Sequence, residues 1–412
     1  MTAALRMIAD PFAAASPAGK RIRTRLRVSA QDEAVLWSIG RHLGSLAGRD
    51  LAARCAEGRL EKKERAQSRA ARKRALTAES SSRWAGAITR TSEDQYQRAA
   101  QNLHAEQASL RARIRRIQYR LSVPTAGKVG GISGYATPAE RHAKIIRLHA
   151  LEARLARVEL RLNSGTFSVT RGGKALLRKR NHLAVGATED QWRAEWESAR
   201  LFLTADGEKA KRWGNETIRW HPSAGWLEIK LPGPLAHLAN RPHGRYRLSS
   251  AVSFIYRGDE VAAQAASGAI RYDIKRETTH GRWYLDASWQ TASVLVLTPA
   301  DLRLTPVLAV DLNRGHLAAW TVTPDGNPAG PPVTIPLDLA GLPATIRDGR
   351  IRGAISTLIR LARQRGCRAV VIENLDFTDA RARTRACGRP PVTRPTRASL
   401  PTAHLRHPHR KV

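Results

Sequence analysis

The sequence predicts an α+β protein of several domains: a helical hairpin and a β-barrel-like module, followed by a smaller α/β domain. Three observations lead there. Between residues 103 and 162, apolar residues recur at helical spacing in two long segments. Between residues 166 and 292, short runs alternate apolar and polar residues, with turn formers between them. From Val307 onward, three strand-like runs, an amphipathic helix and a further apolar run follow in that order.

Residues 1–19 are small and Pro/Ala-rich and are expected to be loose. In KRIRTRLRVS (20–29), Ile22, Leu26 and Val28 share one face, which predicts a strand with a positive outer face. Ser29 is placed to cap a helix, with Asp32 and Glu33 in its first turn and Val35, Leu36, Ile39 and Leu43 as its stripe. That strand and helix make up 20–56. Residues 57–83 are rich in Arg, Lys, Ala and Glu and poor in large apolar side chains. They read as an exposed basic helix or a flexible arm, for which a solvated face is as good an account as phosphate contact.

Leu103, Leu110, Ile114, Ile117 and Leu121 mark one long helix; Ile145, Leu148, Leu151, Leu155, Val158 and Leu162 mark the next, which starts at Thr137-Pro138. Joined by a Gly-rich linker, the two predict an antiparallel hairpin within 57–165, with Arg111, Arg113, Arg116, Arg154 and Arg161 outside. Such a hairpin is a scaffold, or a wall of a nucleic-acid channel.

Residues 166–292 read as a β-barrel-like module of the strands TFSVT, ARLFLTA, ETIRWH, WLEIKLP, YRLSSAVSFIYRG, SGAIRYDIKRETT and RWYLDASWQT, to which 20–29 adds one. A helix with Trp192 and Trp196 interrupts them. Trp213, Trp220, Trp226, Trp283 and Trp289 lie in or beside the strands. Aromatic residues among arginines suit base stacking; barrel core is the commoner role for most of them.

In 300–377, VLAVDL, LAAWTVT and PPVTIPL are strands, the last two joined at Asp325-Gly326. Arg347 to Gly366 is an amphipathic helix with Ile351, Ile355, Leu358, Ile359 and Ala362 inward. RAVVIEN is a fourth strand, which the helical crossover sets parallel to the first. Three strands, a helix and a strand, with acids on the first and last, is the order of the ribonuclease H-type fold.

The chain has 412 residues, room for two or three domains and a sizeable core. Lys and Arg number 70 against 35 Asp and Glu, a net charge of +35 spread along the whole length. Such a field favours polyanions, nucleic acid first among them. No run of 18 apolar residues predicts a membrane span. Arg6, Asp10 and two prolines make the N-terminus a poor signal peptide. Cys55, Cys367 and Cys387 are too far apart for a disulfide framework or a CxxC knuckle, which suits a reducing cytoplasm.

Asp311 closes VLAVD and Glu373 closes AVVIE. Acids are rare in apolar runs, because a buried unpaired carboxylate is costly. On adjacent strands, two of them suit divalent cations. Phosphodiester hydrolysis uses paired cations about 4 Å apart to activate water and to stabilise the leaving oxygen. Mg2+ takes oxygen ligands and keeps several waters, so two or three carboxylates suffice. The residues alone leave two roles open: metal ligands, or strand-end acids met by backbone amides or arginines.

VLAVDLNRGHLAAWTV and AVVIENLDF resemble the first two RuvC motifs of the TnpB/OrfB proteins of bacterial transposons, relatives of type V CRISPR nucleases. RIRTRLRVSAQDEAVLWSIGRHLGSL, FSVTRGGKALLRKR and HGRWYLDASW extend the resemblance over most of 20–377. It implies an RNA-guided, Mg2+-dependent DNA endonuclease of transposition, with Asp311 and Glu373 as catalytic metal ligands. The partners it implies are DNA and a guide RNA from the transposon end, in a bacterial cytoplasm near the nucleoid. Asn374 matches the family's Glu-Asn pair, where it orients the glutamate or the nearby backbone; a strand-end turn is an equal account. His316 reads as a turn residue ahead of a phosphate contact.

The family continues with a zinc ribbon of CxxC pairs and a third catalytic Asp. Here only Asp376 and Asp379 are acidic after Glu373, and only Cys387 is left, so no zinc site is expected. The tail 378–412 is rich in Arg, Pro and Thr and is expected to be disordered. The expectation is a C-terminally truncated domain, an incomplete ribonuclease H-like one, with a frameshift at roughly 380–390. Losing one carboxylate of three cuts activity sharply, and the uncovered sheet face is an aggregation risk. The alternative is a catalytically inactive RNA/DNA-binding remnant; a structural basic protein without nuclease ancestry stands further back.

Overall fold

The computed structural model describes residues 12–14, 18–183, 188–278, 280–291, 297–313 and 315–373. The basic tail at 378–412, the expected frameshift and Asn374 lie outside the described residues, as does most of the loose N-terminus. Described residues form a mixed α/β protein with several small sheets. Contacts divide the chain into two units, 21–289 and 1–20 with 290–412. Among the described residues, no helix is long and apolar enough to cross a membrane.

In the larger unit, β1 (Gly19–Leu26) leads to α1 (Ala30–Ala56), whose cap is Ser29. Asp32 does more than complement the helix dipole. It is 1 % exposed and accepts hydrogen bonds from the Tyr246 hydroxyl (2.9 Å), the Ser249 hydroxyl (2.5 Å) and the Ser249 amide. Burial opposes its charge, but these donors more than offset that and hold its pKa below the usual carboxylate range. The positive face expected on β1 is partly neutralised: Arg21 and Arg23 both donate to Asp286, which is fully buried.

Of the two readings of 57–83, the helix is found: α2 (Lys62–Thr77), held by buried Leu76 and by Arg72 donating to Asp50 at 2.8 Å. Next comes α3 (Ser82–Leu121), which serves two cores. Trp84 and Ile88 sit in the main core, whereas Leu103, Leu110 and Ile114 meet Leu148, Leu151 and Val158 of a second helix. After the short strands β2 (Lys128–Val129) and β3 (Ile132–Ser133), that partner is α4 (Pro138–Ser164). Gln107 reaches Glu159 and Gln118 reaches Glu152, so the helices run antiparallel. Arg111 and Arg154 pair with Glu159 and Glu106 across the hairpin, so their charge is spent within it.

Then follow α5 (Lys174–Lys179), α6 (Glu189–Arg200), β4 (Thr204–Ala205), β5 (Ile218–Trp220), β6 (Leu227–Lys230), β7 (Arg245–Arg247), α7 (Gly258–Ser267), β8 (Arg271–Arg276) and β9 (Trp283–Gln290). The strands make two sheets, β1-β9-β8-β4 and β5-β6-β7, where the alternation had suggested one barrel. Asn215 explains the break. Fully buried, it donates to Ala205 O and Ile270 O and accepts from the amides of Thr217 and Ile218, turning the chain out of one sheet into the other. TFSVT is not a strand: Phe167 stacks on Tyr96 at 4.6 Å, and the segment has no strand partner among the described residues. Of YRLSSAVSFIYRG only Tyr246 and Arg247 lie in a strand, β7, and α7 begins at its last residue, Gly258.

The smaller unit holds α8 (Pro299–Arg303), β10 (Val307–Asn313), β11 (Gly315–Val322), β12 (Pro328–Leu337), α9 (Ala344–Gln364) and β13 (Ala369–Ile372). The sheet order is β12-β11-β10-β13, antiparallel except for the parallel pair β10/β13. Leu308, Val310, Leu317, Ala319 and Ile335 pack on Ala354, Leu358 and Ala362 of α9. Gly366, at φ +66°, lies just past the helix end.

Candidate metal site

The candidate site is built on β10 and β13. Both strands are short apolar runs, and α9 between them carries the chain back to the same end of the sheet, which is how a parallel pair must be connected. Their register is Val307 with Ala369, Leu308 with Val370, Ala309 with Val371 and Val310 with Ile372. One step further along both strands come Asp311 and Glu373.

Face assignment follows from the two-residue period of a strand. Leu308 and Val310 point into the core under α9. Ala309 and Asp311 therefore point to the opposite, open face. Val370 packs on the core side, so Val371 and Glu373 share the open face with Asp311. Both acids are exposed. The apolar runs suggest costly buried acids; the structure corrects this, because among the described residues of this unit α9 covers one face of these strands and the acids stand on the other.

Asn313 shares that face, two residues on, and donates from its side-chain amide to Asp311 Oδ2 at 2.8 Å. Among the described residues, this leaves Asp311 Oδ1 without a hydrogen-bond partner. Asn313 was not singled out beforehand, although the Asp-x-Asn spacing on a strand is a readable signal for it. His316 stands across the ladder from Asn313, at the hairpin end between β10 and β11, where Gly315 supplies φ +91°. That is the turn position the sequence suggests.

Trp320 pairs with Ala309 on the same open face; it is 41 % exposed, and its indole N–H donates to Gly330 O at 2.7 Å. Val371 is 47 % exposed. The open face is thus an apolar floor of Ala309, Trp320 and Val371 with Asp311 and Glu373 at its rim. Among the described residues, no group of three or more His, Cys, Asp or Glu converges on a point. Asp311 and Glu373 supply oxygen donors only, the set that suits Mg2+ rather than zinc. No protein-family model matches this chain, and no curated protein matches it.

Proposed function

We propose that this chain is a TnpB/OrfB-like nucleic-acid-binding protein whose ancestral activity is RNA-guided, Mg2+-dependent DNA cleavage in transposition. One observation carries the reading: the parallel register of β10 and β13, which continues onto Asp311 and Glu373 on one open face. Three antiparallel strands, a crossover helix and a parallel strand form a ribonuclease H-like order, and in that arrangement acids on the first and last strands are a metal-binding pair. The net charge of +35 supports a polyanionic substrate.

Asp311 and Glu373 would hold the metal, with Asn313 keeping the Asp311 carboxylate turned to the open face. When bound, Mg2+ supplies Lewis-acid stabilisation of the phosphodiester oxygens and lowers the pKa of a coordinated water. This chain's own residues orient the ligands and offer the exposed Trp320 and Val371 beside them on the same face.

The test is a cleavage assay on the full chain with its co-purifying RNA, Mg2+ and a plasmid bearing randomised target flanks. Cleavage is expected to need Mg2+ and to fall about a hundredfold or more in Asp311→Ala and again in Glu373→Ala, since members of one catalytic unit fail together. Cleavage that survives Asp311→Ala removes that residue from the mechanism. Tight RNA or DNA binding with no cleavage by the unaltered chain leaves the alternative, a binding remnant of the same fold.

A further inference from the structure

Trp213 and Trp226 stand outside the main core, unlike Trp220 and Trp283, which are 3 % and 1 % exposed within it. They form a row with His221: Trp213 and His221 have ring centroids 4.2 Å apart, His221 and Trp226 4.9 Å apart. Each end of the row carries a guanidinium. Arg247 lies 4.6 Å over Trp226 and Arg212 lies 5.5 Å over Trp213.

The two ends differ. Arg247 is committed, donating to Glu228 Oε1 at 2.7 Å. Arg212 is exposed, and so are Lys209 and Lys211 beside it; none of the three has an ion-pair partner among the described residues. The Trp226 end is closed and the Trp213 end is open and strongly positive.

The open end is also where the local cost is concentrated. Trp213 is left-handed, at φ 59° and ψ 25°, and so is Ala210, at φ 60°. A bulky residue there is a genuine outlier, and such strain persists only where surrounding structure enforces it. The enforcement is visible: Gly214 is buried, a Cβ on it would stand 2.2 Å from Gly268 O, and its carbonyl accepts from Glu208 and Ile270 amides. The Trp213 indole N–H is buried without an acceptor. His221 is fixed, its Nδ1 accepting from the Ala224 amide at 3.0 Å. The turn pinned at Gly214 therefore holds a strained tryptophan under an exposed arginine, with the exposed Lys209 and Lys211 just before it in the chain.

We propose that the Trp213 end of this row binds one unpaired nucleotide: the base stacks on the Trp213 indole in place of Arg212, and the adjoining phosphates lie on Lys209, Lys211 and the displaced Arg212. Stacking and unscreened cations are the two components of single-strand binding. The site rests on the nucleic-acid reading above and adds to it a preference for single strands, placed far along the chain from Asp311 and Glu373.

The test titrates labelled dT12, rU12 and a 12-base-pair duplex into the full chain, following anisotropy and tryptophan fluorescence. Single strands are expected to quench tryptophan emission, and Trp213→Ala to weaken them about five- to a hundredfold while leaving the duplex unchanged. Trp213→Phe keeps most of the affinity. Lys209→Ala with Lys211→Ala, both on the surface and safe for folding, flattens the salt dependence by about one to two released ions. Comparing dT12 with rU12 tells whether DNA or RNA is the better source of the nucleotide. Unchanged single-strand affinity in Trp213→Ala, or an unchanged salt slope in the lysine pair, overturns the site while leaving the nuclease reading standing. Failure of the unaltered chain to bind any of the three polynucleotides overturns both.

Discussion

Replacing Arg54 by Met removes a cation on which several elements of the larger unit converge. Arg54 is 1 % exposed; it donates to Glu93 at 2.5 Å and to Gly58 O at 2.8 Å, and its guanidinium lies 3.6 Å over the Tyr96 ring. Tyr96 in turn donates to Gly165 O at 2.6 Å, so α1, α3 and the end of α4 meet here. Breaking a buried ion pair from one side costs about 3–5 kcal/mol. Glu93 keeps Gln97 at 2.8 Å, which favours the lower end of that range. The lost cation–π contact adds about 0.5–1 kcal/mol, and the methionine recovers part of the packing of the stem. The expected cost is about 3–4 kcal/mol, or a shift of about 1 M in the urea midpoint at an m-value near 3 kcal/mol/M. Tryptophan fluorescence is the assay, since of the ten tryptophans only Trp320 lies outside 21–289. Burial would raise the Glu93 pKa, but Arg54 and Gln97 more than offset it, so the carboxylate titrates below its usual range. Its stabilisation is therefore full above the unfolded carboxylate pKa and disappears as pH falls through the folded one. The gap between wild type and Arg54→Met should narrow in acid. A midpoint shift below about 0.3 M, or a double variant Arg54→Met with Glu93→Leu no more stable than the single one, would refute this account.

Asp286→Asn leaves Arg21, Arg23 and Lys275 facing one another without their buried counter-charge; melting temperature should drop, and drop less in 0.5 M than in 0.05 M salt, because the screening length is about threefold shorter at the higher salt. Gly44→Ala, a change that stabilises most helices by about 0.5–1 kcal/mol, should destabilise α1 here, because a Cβ at that position would stand 2.4 Å from the Arg200 carbonyl; a thermal melt at or above wild type would contradict that contact.

Long apolar stripes were readable because their spacing alone decides which side is buried. Leu103, Leu110 and Ile114 against Leu148, Leu151 and Val158 are an example. The same logic brought Asp311 and Glu373 to matched ends of two runs joined by a helix. Alternation says which face of a segment is apolar, not whether a neighbouring strand exists, and so TFSVT reads as a strand from its sequence without pairing as one. Helix α7 escaped notice because GDEVAAQAAS buries only Val261 and Ala265, too little for a stripe. Polar anchors such as Asp32 and Asn215 are invisible beforehand: their role depends on donors and acceptors far along the chain. Within the candidate site, Trp320 became part of the floor only through the β10/β11 register, which no local pattern specifies.

The parallel pairing of β10 with β13 also sets an order of assembly. Strands β10, β11 and β12 meet through short hairpin connections, and such local pairs form early. Strand β13 cannot join until α9 has folded across the sheet, a non-local closure and the slow kind of step. Until then Asp311 stands alone on an unpaired edge. A nascent chain therefore brings Asp311 and Glu373 side by side only at that closure, and under the proposed reading a partly folded one carries the basic surfaces without the paired acids.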